Sequence, residues 1–146
     1  MRPIDSLDDT IKDLTAYMAS LAPDQLETSK TNKWGAREVF IHIVFWHEQY
    51  ASITKDLLRN GKPLLLTGSH VDINAFAVEQ NIDVPIEVLI DRLHKAQADL
   101  SPLYDSAINL RIAFKEGWKA RAYPDAIELI EQHILSHLAR LKKRYH

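Results

Sequence analysis

The sequence predicts an all-α fold, a four-helix bundle, on three observations. Four segments of similar length carry apolar residues at alternating spacings of three and four, the sign of one helical face turned to a core. No segment shows the period-two alternation of a half-buried strand, and nothing repeats internally. At 146 residues, 46% apolar and 26% charged, the chain suits a single domain, residues 1–146, around one core.

The first helix carries Leu7, Ile11, Leu14, Met18 and Leu21 on one stripe. Ser6 is expected at its N-cap, with Asp8 and Asp9 well placed against the N-terminal dipole. Pro23 ends the run, and residues 22–33 form a polar connection with room for one helical turn. The second helix spans about residues 35–60. Val39, Ile43, Trp46, Tyr50, Ile53 and Leu57 make its stripe, while Phe40, Val44 and Ala51 add a second apolar edge. Asn60-Gly61 stops it, because glycine accepts the left-handed conformation that closes a helix, and Pro63 keeps it closed.

Residues 61–71 form a connection whose apolar run, residues 64–66, is expected to pack against the core. Asp72 is placed to cap a short helix over residues 73–81. A third long helix opens at Pro85 with Leu89, Leu93, Ala96, Leu100 and Leu103, and Pro102 is expected to kink or end it near Ser101. Residues 107–123 lack a clean period and read as a crossover over one end of the bundle. The last helix starts at Pro124 and uses Ile127, Ile130, Ile134, Leu138 and Leu141.

Composition narrows the function. Counting 18 Lys plus Arg against 20 Asp plus Glu gives a net charge of −2, which argues against nucleic acid as the main partner. No cysteine is present, so disulfides, thiolate metal sites and a cysteine nucleophile are excluded. The N-terminus turns acidic by Asp5 and has no apolar signal core, and the longest apolar run, VFIHIVFW, falls far short of a membrane span. A cytoplasmic protein without a membrane partner is expected.

The histidines carry the chemical signal. In EQHILSHLARL, residues 131–141, His133 and His137 lie within about 40° of each other on the helix surface, beside Ile130 and Leu141. At this spacing the Cβ atoms are about 5–6 Å apart, so both imidazoles can reach one ion at about 2.0–2.1 Å. Spacing alone is weak: 7 histidines in 146 residues produce roughly 0.3 such pairs by chance. His42, flanking the stripe of the second helix, is a third ligand if it meets the pair across the bundle, and three neutral imidazoles leave a coordination position open. The bland alternative is two hydrogen-bonded imidazoles at a core edge, with His42 a satisfied core histidine. Glu38 and Glu131 are less obvious as ligands. His47 points about 140° from His42 and reads as surface or core edge. His70, His94 and His146 have no partner at ligand spacing. Arg111, Lys115, Lys119 and Arg121 flank Trp118; they could meet an anionic substrate, although a solvated loop is the commoner outcome.

WGAREVFIHIVFWHEQY, Asn74-Ala75 in VDINAFAVEQN, and SHLARLKKRY together resemble the DinB/YfiT-like superfamily, most of all its ClbS/DfsB branch, over nearly the whole chain. After His137 the chain departs from that branch, with Leu138 and Arg140 in place of aromatics. The resemblance implies an up-down-down-up four-helix bundle that binds a divalent ion, Zn²⁺ or Ni²⁺, through His42, His133 and His137. It also implies a hydrolase or thiol transferase acting on a small toxic or electrophilic molecule, with a low-molecular-weight thiol as a candidate cosubstrate. Trp46, Tyr50 and Trp118 are then expected to line the substrate pocket. Two other readings stay open: a non-catalytic binding or resistance protein, and a bundle whose exposed apolar residues form a homodimer.

Overall fold

In the computed structural model, which describes residues 1–145, helix α1 (Pro3–Ser20) begins without a side-chain cap. Arg2 holds the N-cap position and Pro3 opens the first turn, where a missing N–H costs nothing. Ser6 is therefore inside the helix rather than capping it. Its hydroxyl donates to Glu131 Oε2 at 2.6 Å, and Thr10 donates to the same oxygen at 2.8 Å. This pair fastens α1 to the last helix, and Ile4, Leu7, Ile11, Leu14 and Met18 are buried along the same side of α1.

A 3-10 turn (Pro23–Leu26) fills the single helical turn expected in the first connection. Helix α2 (Ala36–Asn60) ends at Gly61, whose φ of 71° is the left-handed cap its glycine predicts. The Gly61 N–H reaches Leu57 O at 2.9 Å. Glu38 is consumed at the other end of α2, where it accepts from the backbone N–H groups of Ser29 and Gly35.

Helix α3 (His70–Asn81) starts earlier than Asp72 would have it. Ser69 is the N-cap, and its hydroxyl accepts from the Asp72 N–H at 3.2 Å. Helix α4 (Ile86–Leu100) passes without a break into a 3-10 turn (Ser101–Leu103) and the single turn α5 (Tyr104–Ala107). Pro102 ends the α-geometry as expected, but the chain goes on turning because the proline falls in the first turn of the 3-10 segment, where its missing N–H is tolerated.

The crossover holds a small antiparallel ribbon, β1 (Arg111–Ile112) against β2 (Arg121–Ala122), with Arg111 opposite Ala122 and Ile112 opposite Arg121. No strand was expected, since two residues per strand are too few to display a period. Helix α6 (Tyr123–Arg144) follows directly, and the Tyr123 hydroxyl pairs with Thr54 Oγ1 at 3.0 Å inside the core. The loop before α3 leans on the ribbon through Glu116 N–H to Leu66 O at 3.0 Å. Leu64 of that loop is 86% exposed instead of packed, while Leu65 rests on the core.

Helix α1 packs along α6 and also against α4; α2 packs along α4 and holds α3 on its flank. The faces of α2 and α6 meet only briefly. Where they part, a cavity opens. No helix among the described residues is long and apolar enough to cross a membrane.

Candidate metal centre

Helix α2 presents His42 to the gap and α6 presents His133 and His137, two residues one turn apart on one face. One nitrogen from each comes together so that all three lie within 4.8 Å of one another. The Nε2 atoms of His133 and His137 are 3.0 Å apart. Two nitrogens bound at about 2.0–2.1 Å to one tetrahedral ion lie roughly 3.3 Å apart, so this pair already stands near ligand spacing. The widest pair has to close by at most roughly 1.5 Å on the same comparison.

His42 is buried, and its orientation is fixed by Asn74 of α3. The Trp46 indole N–H donates to Asn74 Oδ1 at 2.6 Å, and His42 Nδ1 lies 3.1 Å from the same oxygen. An indole N–H can only donate, so the amide atom it meets is the oxygen. His42 Nδ1 therefore carries the proton, and Nε2 keeps the lone pair a metal requires. Burial, helped by the neighbouring imidazoles, pushes His42 down to about 4. Burial, with His133 and Arg140 adding, pushes His137 down to about 4, and loss of hydration with Arg140 lowers His133. All three rings are neutral at pH 7, the form that binds metal.

Nothing acidic joins the three among the described residues. Glu38 and Glu131, the nearest carboxylates in sequence, are occupied by the contacts already described. The three-histidine group could thus hold a metal ion.

The cluster lies in the wall of a cavity of about 760 Å³, within the range of small-molecule sites. Trp46, Tyr50 and Trp118, all expected there, line it. Trp118 is 44% exposed and stacks on Trp46, with ring centroids 5.5 Å apart and planes 20° from parallel. Trp46 stacks in turn on Tyr50 at 6.2 Å, and Tyr50 meets Phe114 at 4.6 Å. Burial pushes the Tyr50 phenol up, so it remains a neutral wall.

Several lining residues escaped the sequence reading. Trp34 sets its ring 5.4 Å from His42. His70, given no role, opens α3 and lies 6.5 Å from Trp118. Asn74 has no periodic signal of its own; only its neighbours reveal its part. His47 corrects an expectation outright. It is fully buried, with Nε2 2.6 Å from Gln97 Oε1 of α4, because α2 is covered on the face opposite the cavity as well. His94 is exposed on α4, and His146 lies outside the described residues. Of the crossover cations, Arg111 is turned away to Ala120 O, whereas Lys119 and Arg121 line the cavity.

Compared with known proteins, the chain matches no family model, no curated protein and no solved structure.

Proposed function

We propose that the protein is a metal-dependent enzyme of the DinB/YfiT-like type, nearest the ClbS/DfsB branch, that hydrolyses or transfers a thiol to a small electrophilic or toxic molecule. The observation that carries this reading is the meeting of His42, His133 and His137, from two helices, in the wall of an aromatic cavity. The packing of α1 and α2 each against α4 and α6 supports an up-down-down-up four-helix bundle with residues 107–123 as the crossover. A divalent ion held by the three imidazoles would supply Lewis acidity, bringing a coordinated water or thiol into its nucleophilic form near neutral pH. Zinc and nickel both suit the donors, and a low-molecular-weight thiol is the candidate cosubstrate in a cytoplasmic setting.

The chain's own residues do the rest. Asn74 holds His42 in one tautomer, so that Nε2 needs no proton shift before binding. Trp46, Tyr50 and Trp118 exclude water and hold the apolar body of the substrate.

Metal content by mass spectrometry on untagged protein tests the proposal. About one equivalent is expected in the wild type, and none in a His133→Ala/His137→Ala double variant. No metal in either, even after incubation with zinc and nickel, overturns it. The 3.0 Å contact between His133 and His137 favours one rival, a binding protein whose imidazoles only bond to each other. Under that rival His137→Ala leaves ligand affinity nearly unchanged; under the enzyme reading metal and activity are lost together.

A further inference from the structure

Two cationic side chains at the rim of the cavity play no part in holding a metal. The ribbon that carries Trp118 also brings Lys119 and Arg121 into the lining. Among the described residues no Asp or Glu lines the cavity, and apart from imidazoles the charged side chains in its wall are these two, both positive. Among the described residues neither makes an ion pair or a side-chain hydrogen bond. Lys115, on the same turn, sets its ammonium 5.8 Å from the Trp118 ring and donates to Glu116 O at 3.1 Å, adding a further positive charge beside the shelf. The turn depends on Gly117, whose φ of 87° lets the chain double back and hold Trp118 over Trp46.

We propose that the cavity takes small, flat, apolar molecules that bear a carboxylate, the body lying along the Trp118–Trp46–Tyr50–Phe114 shelf and the carboxylate meeting Arg121 and Lys119 at the rim. This deepens the enzyme reading by naming a substrate class, and it rests on the cavity being the substrate pocket. The physical reasons are separable. Four aromatic rings in mutual contact line the cavity and make an apolar wall against which the body of a flat molecule can pack. A guanidinium presents two parallel N–H groups that match a carboxylate. No existing ion pair has to break for Arg121 or Lys119 to engage, and the apolar walls focus their field into the cavity. Among the described residues the pocket has no acidic wall to accept a cationic ligand, which favours an anionic one.

The test compares 2-naphthoate with 2-naphthamide, which share shape and differ in charge, by titration calorimetry at low salt. It uses chelator-treated protein, zinc-treated protein and a Lys119→Gln/Arg121→Gln variant. Metal-free wild type is expected to bind naphthoate at least about tenfold more tightly than naphthamide, as a charge-assisted contact should provide. In the double variant the two probes are expected to bind equally, with naphthamide affinity preserved and the circular dichroism spectrum unchanged, since both side chains are exposed. Equal affinities in wild type, an undiminished preference in the variant, or no binding of either probe overturns the proposal. A preference that arises only with zinc also overturns it, because the carboxylate would then be seeking the metal. Failure of the metal reading gives a different record: no zinc uptake, with the naphthoate preference intact.

Discussion

One amide oxygen decides which nitrogen of His42 can act. Asn74 Oδ1 receives the Trp46 indole and the His42 Nδ1–H together, so the imidazole is turned and its tautomer chosen before anything binds. Asn74→Leu keeps the volume and removes the acceptor. Zinc affinity, measured by competition with a chromogenic chelator, is expected to fall about 10–100-fold, the usual effect of losing a group that orients a ligand. Asn74→Asp retains the acceptor and should bind zinc within a few-fold of wild type. Equal affinity in the leucine variant would remove Asn74 from the site. At this scale the sequence was uneven in what it told. The His133–His137 pair was legible because four residues return a helix to the same face. Asn74 stood out only within a family resemblance and its role did not, because a lone polar residue on a short helix has no readable task until its partners are known, and the place of Lys119 and Arg121 depends on a turn at Gly117.

Among the elements, α3 is held differently from the rest. It buries only Ala77 and Val78 and leaves Val71 and Phe76 in the open. Polar ties replace the missing apolar seam. Arg92 of α4 donates two bonds to Glu48 of α2, at 2.6 and 3.1 Å, and a third to Asn81 at the end of α3, at 2.8 Å. Arg92→Ala is expected to raise amide hydrogen exchange in α3 well above that in α2 and α4, while the global stability falls by only about 1 kcal/mol, as partly exposed charge pairs allow. Uniform loss of protection across the chain would refute local loosening. The long helices were readable because each repeats its apolar residues for four turns or more. The β1–β2 ribbon was hidden because its two-residue strands carry no repeat to read, and the true cap of α3 because Ser69 and Asp72 both suit the position.

Across the whole molecule, a polar line that runs from a buried to a half-buried end joins three helices. His47 of α2 meets Gln97 of α4, and Gln97 donates to Asp8 of α1, which also accepts from Ser101. His47 Nδ1 has no hydrogen-bond partner among the described residues. Burial pushes this imidazole down to about 4 against the opposing pull of the Gln97 bond, Asp8 and Glu48. The unfolded chain takes up that proton near the ordinary value of 6.5. Between those two values the unfolded state holds more protons, so stability is full above about pH 6.5 and falls as pH is lowered toward 4, by on the order of 3 kcal/mol. His42 and His137 act in the same direction. Urea midpoints across this range should therefore show a shallower slope in His47→Leu than in wild type; parallel slopes would mean that His47 is already charged in the folded protein. The all-α class was plain from the apolar stripes. The burial of His47 was within reach too, since it falls in register with Phe40, Val44 and Ala51 on the second apolar edge of α2, but its angle from His42 alone does not show it.

The split of the three imidazoles between α2 and α6 has a mechanical consequence. An ion bound there would fasten position 42 to position 133, about 90 residues apart, in a chain that has no cysteine with which to do so. In the chain-entropy picture, closing a loop of that length with a cross-link is worth about 4–5 kcal/mol. It would also span a seam where two of the long helices meet only briefly. The reagent and the rivet would be the same atom, and stripping it would free the two halves of the cavity wall to drift apart.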